Sequence, residues 1–232
     1  MPQIEHLEVS PVKRPRGEAE RMYDRLSSFY DFLAASSEDR FIQQGVEMLD
    51  LRRGDHVLEI GFGTGRGLVR LAGDVGPEGR IHGVDLSEGM AEQARKRLEK
   101  NNLTGRVKLL TQDAVDLPFG DDELDAAFTS FTLELFSLED IERVLGETWR
   151  VVRENGKLMV VSLHKGEAFT LPGWIYEKLH ELFPRTLDCR PIPTAAILRR
   201  EGWLIDRQET GSMWGLPVSI TLARKADNRT GK

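Results

Sequence analysis

From Asp55 to Leu163 the sequence alternates short apolar runs with helical stretches, and this alternation restricts the chain to an α/β fold. The pattern predicts strands over His56–Ile60, Arg80–Asp85, Val107–Thr111, 124–129 and 157–163. Helices are expected over 66–72 and beyond, after a Ser87 cap, and from Ser137-Leu138-Glu139-Asp140, a capping-box type of start, to Val152, with Asn155-Gly156 ending that unit before the strand over 157–163. Strands joined through helices need right-handed crossovers, hence a mainly parallel, doubly wound sheet. After Leu163 the rhythm breaks. Helices are predicted over 173–183 and from Thr194 to Gly202. Strands over 203–209 and 217–223, joined through Gly211 and Gly215, would form an antiparallel edge hairpin and bring the sheet to seven strands.

Upstream of Asp55, residues 1–17 are rich in Pro and charge and read as a disordered tail. Residues 18–50 read as a helical lid. One helix runs over 18–35, and another follows Ser37, with Phe41, Ile42, Gly45, Val46 and Leu49 at helical spacing. Residues 51–225 would be the main domain, with an insertion near 164–200 that builds an acceptor pocket. A chain of 232 residues buries roughly 70–75% of its unfolded surface and needs no disulfide or metal staple. The net charge of −6 offers no footprint for nucleic acid. The single cysteine, Cys189, excludes an intrachain disulfide and a cysteine-rich metal site, and no metal is expected. No signal-peptide core and no apolar run near ~20 residues is present, so a cytoplasmic protein is expected.

The stretch Val57-Leu-Glu-Ile-Gly-Phe-Gly-Thr-Gly65 runs from a buried strand into three glycines at every second position. Glycine costs conformational entropy, so the cluster implies close approach of something to bare backbone. In an open parallel sheet that place, beyond the carboxyl end of a strand, is where ligands bind. Asp85 closes the second strand twenty residues after Gly65, where a carboxylate can accept both hydroxyls of a ribose. The spacing is G-x-G-x-G, and Arg66 stands where the dinucleotide motif would have its third glycine. A nucleoside is expected, and a nicotinamide dinucleotide is disfavoured.

The segments EIGFGTG, GVDLSEGM, QDAVDLPFGDDELDAAFTSFTLELF and LGETWRVVRENGKLMVVSL follow in order. Together they resemble the class I S-adenosylmethionine-dependent methyltransferases, and most of all the branch of the ubiquinone and menaquinone C-methyltransferases. The likeness covers residues 23–163 and only loosely the C-terminal third. It implies a Rossmann-like methyltransferase fold with S-adenosylmethionine as cofactor. Glu59, Gly61, Gly63, Thr64 and Gly65 would surround its methionine end. Asp85 would take the ribose, Leu86 and Met90 the adenine face, Asp113 and Ala114 the adenine edge. Ser130 would line the channel near the sulfonium, and Tyr23 and Tyr30 would belong to the lid. Packing alone also accounts for Met90, which shares a helix face with Ala94 and Leu98, and for the Tyr pair; Asp113 could simply cap a turn.

A proton acceptor is needed if the methyl group goes to a phenol-like ring or a hydroxyl. Glu134, after the fourth strand, and His164, after the fifth, are the candidates at the carboxyl edge. A pocket-wall residue and a surface-loop histidine are the plainer readings. The quinone-methylating enzymes usually carry an Arg-Asn pair where this chain has Glu134-Leu135, which makes room for a neutral or cationic acceptor such as an amine headgroup. The expected acceptor is small or lipid-like, a demethylmenaquinone-type ring carbon leading, with peripheral membrane contact left open. A small-molecule hydroxyl as acceptor, or a non-catalytic regulatory protein that only binds the cofactor, is also compatible with these residues.

Overall fold

The computed structural model describes residues 35–165 and 191–226. Helix α1 (Ala35–Leu49) leads into strand β1 (His56–Ile60), helix α2 (Arg66–Asp74), β2 (Arg80–Asp85), α3 (Glu88–Lys100), β3 (Val107–Thr111) and β4 (Leu124–Ser130). A short 3-10 turn (Leu133–Leu135), α4 (Leu138–Val151), β5 (Val152–Leu163), α5 (Thr194–Arg200), β6 (Leu204–Met213) and β7 (Leu216–Arg224) complete the order. The seven strands lie in the order β3-β2-β1-β4-β5-β7-β6, parallel except for β7 and β6. The predicted α/β class and sheet therefore hold. Strand order reverses between β1 and β4, and both strands point their carboxyl ends at the same edge.

Two apolar layers bury the sheet. On one face α1, α2 and α3 contribute Phe41, Val46, Leu68, Leu71 and Ala94; on the other α4 and α5 contribute Ile141, Val144, Leu145 and Leu198. The expected lid over 18–50 includes α1, whose apolar stripe belongs to the first layer; residues 18–34 lie outside the described residues. Gly45 lets α1 sit close to the sheet, since a Cβ there would come 2.8 Å from Val161. The expected tail over 1–17, the helix over 173–183 and most of the 164–200 insertion also fall outside the described residues. No described helix is long and apolar enough to cross a membrane.

Two glycine readings need correction. Gly211 is not a turn residue but lies inside β6, where the Phe41 ring approaches so closely that a Cβ would stand 2.6 Å from it. The turn is Trp214-Gly215, with φ of 52° and 84°, the two positive angles of a tight hairpin. Asn155-Gly156 is likewise no boundary before β5. The strand begins at Val152 and bulges there, pairing passing from Leu124↔Val152 to Ala126↔Lys157.

Candidate functional site

The glycine loop sits at the strand-order reversal, and all three predicted glycines have positive φ: 70° at Gly61, 48° at Gly63 and 80° at Gly65. Each answers a different demand. Gly61 donates its N–H to Val84 O at 2.7 Å and lies against Thr132, whose Cβ would be only 2.7 Å from any side chain added there. Gly65 caps α2 and touches Ala94 of α3. Gly63 alone faces open space, so bare backbone is offered to a ligand. Gly61→Ala combines a left-handed angle with overlap and is expected to destabilise the fold by roughly 2–4 kcal/mol in urea unfolding.

Asp85 closes the loop from the end of β2. Its Oδ2 accepts from Gly63 N at 2.8 Å and its Oδ1 from Ser87 N at 2.9 Å, tying the loop to the start of α3. A carboxylate keeps further lone pairs for a second set of donors. Leu86, next in sequence, is 39% exposed, large and apolar beside that carboxylate. Met90 is buried on α3 with its N–H donated to Ser87 Oγ. Asp113 Oδ1 accepts from Val115 N at 3.2 Å, so the turn-capping geometry is present, and Ala114 beside it is buried. Ser130 is half-buried, its carbonyl accepting from Thr132 Oγ1 at 2.8 Å. Tyr23 and Tyr30 lie outside the described residues.

Glu59 is buried beneath the loop, and its Oε2 has no hydrogen-bond partner. Burial, reinforced by the nearby Asp85 charge, pushes its carboxyl well above the ordinary value. A fourth glycine in step, Gly67, makes room for it: a Cβ there would lie 2.8 Å from Glu59 Cδ. The regular Gly61-63-65-67 spacing is the signal that could have added Gly67 to the predicted loop. Arg97 and Thr132 escape sequence reasoning, because both act through contacts distant in sequence. Arg97 Nη1 donates to Thr64 Oγ1 at 2.6 Å and to Thr64 O.

The two candidate proton acceptors are placed differently. Glu134 is fully buried; Oε1 accepts from Leu163 N at 3.0 Å and Oε2 has no partner. Burial raises its carboxyl from 4.5 to about 8, opposed by the Leu163 N–H and assisted by Glu38. At neutral pH such a group holds its proton, which does not suit a proton acceptor. His164 is half-buried at the end of β5, where its N–H donates to Pro217 O at 2.8 Å and its backbone bridges Ile192. Among the described residues no group of three or more His, Cys, Asp or Glu gathers as for a metal ion.

These residues fit S-adenosylmethionine: open backbone at Gly63, a paired carboxylate beside an exposed Leu86, and an orphaned buried oxygen on Glu59. Residues 57–156 match a model described as a methyltransferase domain. The chain is similar to a demethylmenaquinone methyltransferase of Symbiobacterium thermophilum, 29% identical over 62% of this chain and 58% of that relative's length. Thus the matched span is under two thirds of the relative. Among solved structures, the (4+2)-cyclase SpnF superposes at a TM-score of 0.74, with 20% identity over 94% of this chain and 99% of that one. A Burkholderia thailandensis 1,6-didemethyltoxoflavin N1-methyltransferase, with bound 1,6-didemethyltoxoflavin and S-adenosylhomocysteine, superposes at 0.71, with 18% identity over 95% and 94%. Residues 57–156 are thus matched as a methyltransferase domain, and sheet order and glycine loop are similar to those of the class I S-adenosylmethionine-dependent methyltransferases.

Proposed function

We propose that the protein moves a methyl group from S-adenosylmethionine to a small or lipid-like acceptor, a ring carbon of the demethylmenaquinone type. The observation that carries the donor half is the Asp85 carboxylate set against the open Gly63 backbone. When bound, the cofactor supplies a methyl group already activated on a positive sulfur. Glu59, the loop and Thr64 would hold its amino-acid end, Asp85 its ribose, and Leu86, Met90, Asp113 and Ala114 its base. Ser130 lies at the carboxyl end of β4, where we place the transfer. Alignment supplies much of the acceleration, and a dry, apolar edge favours loss of charge on the way to the transition state.

The acceptor half leans on the likeness to the Symbiobacterium enzyme's sequence. The Glu134-Leu135 departure would favour a cationic headgroup only if Glu134 offered a negative charge. Its burial keeps that charge back, so the ring acceptor stands ahead of an amine. We assign proton removal from a ring hydroxyl to His164, at the edge where β5 ends; the ring carbon that gains the methyl group then gives up its own hydrogen as a proton, which restores the hydroxyl. Incubation with methyl-labelled S-adenosylmethionine and separate ring, amine and hydroxyl acceptors tests this. Label on a ring carbon, with S-adenosylhomocysteine released in equal amount, is the expected outcome. Label on an amine nitrogen would replace the acceptor, and cofactor binding without any release would leave a binding protein.

A further inference from the structure

We infer that Arg97 is a positioning residue for the methyl-donor site: its guanidinium, reaching in from α3, clamps Thr64 and so holds the glycine loop in the shape that presents Gly63 outward. The inference rests on the donor reading of the loop.

Arg97 stands apart from its neighbours on α3. Arg95 pairs with Glu88 at 2.9 Å and Lys96 with Glu92 at 2.8 Å, as expected of charges on a solvated helix face. Arg97 turns inward and bonds both the hydroxyl and the carbonyl of Thr64. Ala94, one turn earlier on the same face, meets Gly65 so closely that a Cβ there would lie 3.0 Å from its own. The helix therefore docks on the loop at two consecutive residues. Thr64 is nearly buried against α3, whereas the adjoining Gly63 faces open space. Anchoring one residue inward fixes which way the next peptide faces, and the Gly63 N–H is the one that Asp85 meets from the opposite side. Hydrogen bonds from a guanidinium are stronger than neutral ones, and a loop carbonyl left without a donor is costly. A loop held in one shape does not lose ordering entropy when ligand arrives, so the effect falls on affinity.

The test titrates S-adenosylhomocysteine by calorimetry into wild type, Arg97→Gln, Arg97→Lys and Thr64→Val, with the melting temperature of each unliganded protein recorded. Arg97→Gln is expected to raise Kd roughly 10- to 30-fold and Thr64→Val roughly 3-fold, with Arg97→Lys recovering much of the loss through one retained charged donor. In turnover the KM for the methyl donor should rise in parallel while kcat stays within about threefold. Wild-type affinity in Arg97→Gln, or equal loss in the Gln and Lys variants, overturns the assignment. Should Arg97→Gln not fold, Thr64→Val decides alone, an unchanged Kd there counting against the clamp. Absence of heat with wild type removes the donor reading itself, a failure distinct from that of the clamp.

Discussion

Asp85→Ala is expected to weaken S-adenosylhomocysteine binding by roughly 100-fold or more, the largest effect of any single change at the site. The carboxylate has two jobs. Within the chain it accepts from Gly63 N and Ser87 N, and its further lone pairs can accept from a ribose. Hydrogen bonds to a charged group contribute about 1.5–3 kcal/mol each, so loss of two from the ligand gives roughly 3–6 kcal/mol, or two to four decades in Kd. Releasing the Gly63 N–H also loosens the loop. Asp85→Asn, which retains one acceptor oxygen, should fall between. Removing the Asp85 charge should also draw the Glu59 carboxyl downward, since that charge helps to raise it. Calorimetry on folded variants is the measurement. An Asp85→Ala protein that binds as tightly as wild type would show that the ribose lies elsewhere.

The glycine loop was legible because its constraints are local. Positive φ at Gly61, Gly63 and Gly65, joined by close approach at Gly61 and Gly65, can be met by few residues other than glycine, so the need is written in the residues themselves. The central strands β1, β4 and β5 were legible for a similar reason, since strands buried on both faces read as largely apolar runs. What failed were readings in which one residue type has two causes. Gly211 was expected to turn the chain, but it is glycine because the Phe41 ring of α1, distant in sequence, lies on it. Asn155-Gly156 looked like the end of a unit, yet it forms a bulge that β5 absorbs. Arg97 is indistinguishable in sequence from Arg95 on the same helix, and only the fold turns one inward. Glu134 is the same problem in charge: its position at the carboxyl edge could be predicted, but its protonation depends on burial that only packing decides.

That burial gives the second large prediction. The Glu134 carboxyl rises from 4.5 to about 8, chiefly because its charged form would lose water. A folded-state value above the unfolded one means that the folded protein binds the proton more tightly. The associated stability is complete below pH 4.5 and is lost as pH rises toward 8. At about 1.4 kcal/mol per unit, the loss by pH 8 is on the order of 4 kcal/mol. Glu59, also raised, tilts the curve the same way, so the wild type alone does not isolate Glu134. Glu134→Gln does. It mimics the protonated carboxyl, keeps an oxygen for Leu163 N and has nothing to titrate. Urea unfolding from about pH 5 to about pH 8.5 should show the stability of the wild type relative to the variant falling steadily as pH rises. Turnover of Glu134→Gln at neutral pH should remain within a few fold of wild type, because the native carboxyl is already protonated there. A collapse of kcat with unchanged stability would instead make Glu134 the proton acceptor, and equal pH slopes in the two proteins would mean that its charge is tolerated in the fold. Glu134→Ala should lose roughly 2–4 kcal/mol at about pH 5, where the wild-type carboxyl is protonated, and progressively less as pH rises, since it leaves the Leu163 N–H and a small void unfilled between the ends of β4 and β5 but has no carboxyl to ionise.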